Sequence, residues 1–437
     1  MTLTPWNGAK DWTPVDAAHL LRRTGFGATA QDIHDAHKAG LLATLERIFS
    51  EAPETSDFQE TESILRTLAY ASDNVNDLKS WWLFRMRRSA NPLVEKMTLL
   101  WHNHFATSNA KVHSVRWMAD QNDLFRKHAL GDFRALLHGV ARDTAMLVWL
   151  DVNDNRKRAA NENFAREIME LFSLGVGNYT EHDIKEAARA FTGWHVREGK
   201  FWFDRRQHDP TTKTVFGKAG TFDGAAIVDL CLDHPACPRF IAFKVLKAFV
   251  TDRPSKEQID SVADSLKREK FNVGKTLKAL LASELFFSKD SRAAIIKGPV
   301  DFVVGAMKSL DANPKFGETT RLLATLGQDV FEPPTVKGWD GGRLWVSAAA
   351  LLHRTQFSVG LLSGERYGEL PKLSAIAADL GSDPQGALAK LIETHLATPL
   401  GPEAKQAFID HWRKADGDER LRGALHLILT SPEYQLG

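Results

Sequence analysis

A chain of 437 residues, 43% hydrophobic and 25% charged, is long enough for one large domain or two lobes and has the balance of a soluble globular protein. Its 56 Lys and Arg against 55 Asp and Glu give a net charge of +1, which argues against any global attraction to nucleic acid or to an anionic membrane surface. Two cysteines exclude a disulfide scaffold, and no apolar run reaches the length of a membrane span.

The N-terminal stretch MTLTPWNGAKDWTPVD lacks the charged start and apolar core of a signal peptide. Arg22–Arg23 is followed by TGFGATAQDIHDAH, where a twin-arginine signal would need an apolar segment. The expectation is a cytoplasmic protein as written, or a periplasmic one if a signal was removed.

Helical signals dominate from there on. The periodicity predicts helices near 15–23, 30–49, 58–88, 92–107, 114–128, 132–141, 161–174 and 181–192. Thr29–Asp32 and Thr180–Asp183 fit the capping box, and Gly175 stands where a helix C-cap belongs. Residues 194–224, WHVREGKFWFDRRQHDPTTKTVFGKAGTFDG, break the pattern and read as a small β-hairpin or ordered loop. Further helices follow near 224–233, 238–250, 256–269, 273–286 and 293–309, then 341–352, 385–396, 402–413 and 418–431. Between them 327–345, GQDVFEPPTVKGWDGGRLW, carries Pro333–Pro334 and Gly338, Gly341 and Gly342, which forbid a continuous helix. LKALLASELFF (277–287) and LHLILTSPEYQ (425–435) echo each other at helix ends, either as a duplicated unit or by chance. The fold expected is all-α and multi-helical. It comprises an N-terminal lobe over 1–193, the hairpin insert over 194–224 and a C-terminal lobe over 225–437, with a cleft between the lobes.

Four constellations carry chemistry. TLLWHNHFATSNAKV (98–112) holds His102 and His104, two residues apart, which a continuous helix would set about 200° apart. They can meet at one metal ion only if the helix ends near Trp101; otherwise one or both fill a polar gap. In NENFAREIME (161–170), Asn163, Glu167 and Glu170 share a helix face, while Glu162 and Arg166 form an i,i+4 pair. These carboxylates suit acid/base work or metal ligation, against the plainer reading of a solvated helix face. Segment 197–218 sets six Lys/Arg against three acids and interleaves them with Phe201, Trp202, Phe203 and Phe216. Aromatic faces beside basic chains fit stacking on sugars and holding an anion, or a structural hairpin. Cys231, His234 and Cys237 have a ligand-like spacing, but Pro235 and Pro238 interrupt it and no fourth ligand is near. No HExxH, Glu-x-x-His pair, GxSxG, P-loop or GxGxxG occurs, so zinc-protease, di-iron, hydrolase-elbow, NTPase and dinucleotide readings lose support.

Six blocks in order complete the pattern. They are HLLRRTGFGAT (19–29), EKMTLLWHNHFATS (95–108), NENFAREIMELFSLGVGNYTEHDIKEAARAFTGW (161–194), HD with KTVFGKAG (208–220), HPACPRFIAFKVLKAFV (234–250) and GQDVFEPPTVKGWDGG (327–342). With them the chain, from about residue 15 to its C-terminus, resembles the bacterial domain of unknown function 1800 family. The resemblance implies a large, mostly helical protein and no settled activity. It also implies a sulfatase-like neighbour protein as partner, since members are often exported and encoded beside one; the lack of a visible export signal departs from that pattern.

These readings lead to one expectation: a hydrolase or lyase acting on a sugar-like or anionic polymer-derived substrate. Glu167 or Glu162 would be the acid/base, with His104 assisting. Arg166, Trp202, Arg206, His208, Asp209 and Trp339 would bind substrate. His102, His104 and Glu170 would be the ligands of a divalent ion, the one cofactor class the histidines suggest. The alternative is a non-catalytic protein that binds a glycan or polyanion or scaffolds a partner.

Overall fold

Side-chain caps set many of the helix boundaries in the computed structural model, which describes residues 3–369 and 373–437. The first two residues of the expected N-terminal lobe and residues 370–372 of the C-terminal one lie outside the described residues. Thr29 and Thr180 accept from the amides of Asp32 and Asp183, and those carboxylates bond back to the cap amides, so both expected capping boxes form. Two long expected helices are each two. Gly40, at φ +83°, parts Ala30–Ala39 from Leu41–Phe49, and Asp73, at φ 47°, ends Ser56–Ser72 before Asn74 caps Val75–Arg88. Short helices at Asn109–Val112, Thr144–Trp149, Phe316–Thr325 and Leu373–Leu380 were not legible in the periodicity.

The fold is mostly helical, with two small two-stranded sheets. Both sheets lie in the 194–224 insert, which is two hairpins rather than one. Strands β1 (Trp194–Arg197) and β2 (Lys200–Phe203) pair antiparallel, as do β3 (Lys213–Val215) and β4 (Lys218–Gly220). Each turn has two residues at positive φ, Glu198–Gly199 and Phe216–Gly217, the twist that two-residue hairpins favour.

Two apolar clusters form the interior. One is built mainly from residues 12–45, 93–105 and 125–287, the other from 69–86, 112–119 and 300–434. The core therefore does not divide near residue 224, because the helices of 224–287 complete the first cluster. The helix Pro92–His104 is the shared wall: Leu93, Met97 and Trp101 face the first cluster and Leu99 the second.

The irregular 327–345 segment is pinned to that wall. Lys79, buried, pairs with Asp329 at 2.6 Å and with Glu332. The Phe331 amide donates to His102 Nε2 at 2.9 Å, and its carbonyl accepts from the Asn109 amide at 2.8 Å. Asn103 Oδ1 accepts the Trp339 amide at 2.7 Å. A Cβ on Gly338 would stand 2.2 Å from Asn103 Oδ1, and its φ is +81°, so only glycine permits this approach.

Candidate functional site

The helix Asn163–Met169 ends in a wider turn over Glu170–Leu174, where the Gly175 amide reaches back five residues to the Glu170 carbonyl at 3.1 Å. Such turns are frequent at functional sites. A helix end leaves its last carbonyls without partners inside the helix. Here Asn178 Nδ2 donates to the Leu174 carbonyl at 3.0 Å, and His104 Nε2–H donates to that of Phe172 at 3.0 Å. The second bond fixes the His104 tautomer and leaves Nδ1 as an acceptor, buried and without a partner.

His104 lies on the wall of a cleft of about 460 Å³. The other walls are Glu170–Val176, the helix Ala236–Phe249, and the segment from Gln328 to Trp345, which contributes Lys337, Trp339 and Asp340. Lys244 and Lys247 face in from one side, with Phe240 and Phe243 beside them. The Lys244 Nζ lies 5.1 Å from the Phe240 ring centre, and burial followed by the Lys247 charge brings its ammonium down to about 8. The same burial, with the Lys244 charge, holds the His104 imidazole neutral by lowering it to about 3.

Glu167 stands one helical turn before Glu170. Burial and then the Glu170 charge push its carboxyl up to about 7, against the pull of Arg166 and of Lys337 on the opposite wall. Glu170 itself accepts a hydrogen bond from the Tyr179 hydroxyl. The cleft wall thus carries a neutral imidazole and a lowered amine, together with Glu170, and the raised Glu167 carboxyl stands one helical turn before Glu170.

Other expected site residues lie elsewhere or are engaged. His102 packs on the far face of its helix, 5.2 Å from the Trp82 ring centre and 5.4 Å from that of Phe331, with its Nε2 lone pair taken by the Phe331 amide. His104 packs against Phe105 and Phe172 in the other cluster. The helix continues to His104, so the geometry that would let both imidazoles share one ion does not arise. Among the described residues no group of three or more His, Cys, Asp or Glu is placed to hold a metal ion, so His102, His104 and Glu170 do not assemble as a ligand set. Cys231 and Cys237 are buried thiols; burial pushes Cys231 up to about 12, the wrong direction for a metal-binding thiolate.

Arg166 is held by Glu181 at 2.8 and 2.9 Å and by Glu162 at 3.2 Å, and neither Arg166 nor Glu162 lines the cleft. The insert contributes no residue to the cleft. Trp202 is 40% exposed beside Arg197 and His195, and Arg206 is exposed. His208 Nδ1–H donates to the Thr192 carbonyl at 2.9 Å. Asp209 is enclosed: Arg189 Nε donates to it at 2.9 Å, and the Thr211 amide and hydroxyl at 2.9 and 2.6 Å. Those bonds overcome burial and hold its carboxyl well below the usual range. Lys213, also buried, donates to the Asp209 and Thr211 carbonyls at 2.6 and 3.0 Å. Trp339 does line the cleft, although its ring is mostly covered by the contact with His102.

Sequence reasoning missed Asn103 as the clamp for the 327–345 segment, and Lys244, Lys247 and Lys337 as the cleft's cations. The two lysines on Ala236–Phe249 sit three apart in an otherwise apolar stretch, a spacing that puts them on one face. That was the available signal.

A mostly helical fold with a polar cleft, and a sequence without a familiar catalytic motif, define a class by architecture alone. The chain matches the model of a family described as a protein of unknown function, DUF1800, over residues 19–436, nearly its whole length, and belongs to that family. No curated protein and no solved structure matches it.

Proposed function

We propose that the chain is an enzyme that cleaves a sugar-like, anionic, polymer-derived substrate in the cleft lined by His104, Glu170 and Lys244, by hydrolysis or elimination, with Glu167, one turn before Glu170, as the acid/base. The single observation that carries this reading is the Glu167 carboxyl, raised to about 7 by burial and by the charge of Glu170, which itself lines the cleft. A group poised there exchanges protons with a substrate oxygen or carbon near neutral pH, which is what either bond cleavage requires. Lys244, Lys247 and Lys337 line the cleft and attract an anionic substituent, and neutral His104 stands in its wall with Nδ1 covered and unpartnered. Phe240 and Trp345 supply apolar surface for a ring.

The test is turnover of a panel of uronic-acid and sulfated oligosaccharides, followed by released reducing ends and by unsaturated products. Glu167→Gln should fold normally and lower kcat by roughly 10²–10⁴-fold, as loss of a general acid/base does. Full activity in that variant would overturn the reading.

A second reading, a partner-docking protein, is favoured by one observation. Leu344, Leu351, Leu352 and Val359 form an exposed apolar stripe on and just before the helix Ala348–Ser363, with Leu344 69% exposed, close to the cleft's Trp345. Activity on no member of the panel, with a stable complex lost on Leu352→Asp, would favour it instead. The sulfatase-like neighbour is the partner to try first. No helix among the described residues is long and apolar enough to cross a membrane.

A further inference from the structure

Behind the cleft lies a second, smaller chamber of about 50 Å³, sharing Lys96 and Asp301 with it. Arg22 and Arg23, in the last turn of Pro14–Thr24, line it together with Lys297, His395 and Gly437. Close backbone packing shapes one side: a Cβ on Gly305 would lie 2.4 Å from the Phe26 carbonyl oxygen. The segment 25–28 can therefore lie directly on the helix Pro299–Ser309.

Four basic side chains, Arg22, Arg23, Lys96 and Lys297, line the chamber against the Asp301 carboxylate and that of Gly437. Arg23, 3% exposed, bonds only to the carbonyls of Ser291 at 2.6 Å and Phe249 at 3.3 Å. Arg22 bonds to the Glu393 carbonyl at 3.3 Å. Both Nε atoms are buried without a partner, as is Nδ1 of His395, which is 3% exposed. Lys297 Nζ rests 3.6 Å from the centre of the Tyr434 ring and has no carboxylate partner among the described residues. The one side-chain carboxylate on the chamber wall, Asp301, is engaged by Lys96. Guanidinium groups remain protonated at neutral pH even here, where burial brings Arg22 to about 10 and Arg23 to about 9. Enclosing more cations than counter-charges is costly, and a multivalent anion removes that cost while supplying acceptors to the idle N–H groups.

We propose that this chamber binds a tetrahedral oxyanion, phosphate or sulfate, either free or as an ester substituent of a molecule held in the adjoining cleft. Its volume corresponds to roughly four water positions, about the size of such an ion. Two adjacent guanidinium groups match paired oxygens of an oxyanion, which a spherical halide cannot exploit. The site does not rest on the acid/base reading of the cleft, since binding is measured without turnover.

Thermal unfolding of the full chain with inorganic phosphate, sulfate or chloride at equal ionic strength tests it. Phosphate or sulfate should raise Tm saturably by several degrees, in wild type and in Glu167→Gln alike, while chloride does not. Lys297→Met and Arg22→Gln should each weaken that response at least tenfold. Glucose 6-phosphate and glucose 6-sulfate distinguish the source: tighter binding than the free ions assigns the ester, equal or weaker binding the free ion. Chloride matching the oxyanions, or both variants responding like wild type, would overturn the proposal. Should both variants fail to fold, a selenate soak of wild-type crystals decides: an anomalous peak among Arg22, Arg23 and Lys297 supports the site, and its absence refutes it.

Discussion

The cleft and the 194–224 insert carry similar inventories of basic, acidic and aromatic side chains, yet they use them in opposite ways. In the insert the polar groups satisfy one another: Asp209 receives Arg189 and Thr211, Lys213 is caught by two carbonyls, and His208 is held by Thr192. On the cleft wall His104 Nδ1 lacks a partner and Lys244 is lowered to about 8, and one turn before the lining Glu170 the Glu167 carboxyl is raised to about 7. A dense polar motif thus marks a site only where bonding capacity is left over. Where it is used up, the same residues are scaffold.

The largest effect expected from this contrast is on acid stability. His102, His104 and His395 are all lowered to about 3, first of all by burial, whereas unfolded imidazoles titrate near 6.5. Below pH 6.5 the unfolded chain therefore binds protons that the native one does not. The stability present above that pH falls by about 1.4 kcal/mol per pH unit for each histidine, about 4 in all, down toward pH 3. Glu167 and Asp143, both raised to about 7 by burial above all, bind protons first in the native state and offset about two of the three contributions between pH 6.5 and 5. Urea titrations over that range should therefore show a net slope of about 1.4 kcal/mol per pH unit, and His102→Gln should lower it by about that much. A flat profile would mean that these imidazoles are hydrated.

Next comes the insert. Asp209→Ala leaves Arg189 with Glu186 as its one remaining carboxylate partner among the described residues, frees the Thr211 donors, and should destabilise the protein by about 1–3 kcal/mol in urea unfolding, without changing ligand binding in the cleft. Loss of binding with unchanged stability would reverse the roles of the two regions. Lys244→Met should do the contrary, raising stability by up to about 1 kcal/mol by removing a desolvated, unpaired charge, at the expense of anionic-ligand affinity. The smallest effect belongs to Trp202→Ala, expected within about 0.5 kcal/mol of wild type and silent in the binding assay, because the ring lies outside the cleft.

Much of the fold follows from local rules visible in the chain: the Thr29 and Thr180 capping boxes, the Gly175 cap and the irregular insert. What local rules could not supply were the breaks at Gly40 and Asp73, where a single residue in the left-handed region ends a periodic pattern. For the site, helical spacing already placed His102 and His104 about 200° apart. Which of them would meet the cleft depended on the Phe331 amide, 229 positions away from His102. The lysines of the 236–249 helix were hidden because their stems belong to an apolar stretch and only the packing of 327–345 turns their tips into a cleft. Trp202 and Asp209 misled for the complementary reason, since composition records polar groups but not whether neighbours satisfy them.

The most direct test of the cleft is the titration of Glu167, followed by ¹³C NMR of side-chain carboxyls and assigned by the signal lost in Glu167→Gln. A midpoint near 7 is expected, moving down in Glu170→Gln as the repelling charge is removed. A midpoint in the ordinary carboxylate range near 4.3, unmoved by that substitution, would contradict the account.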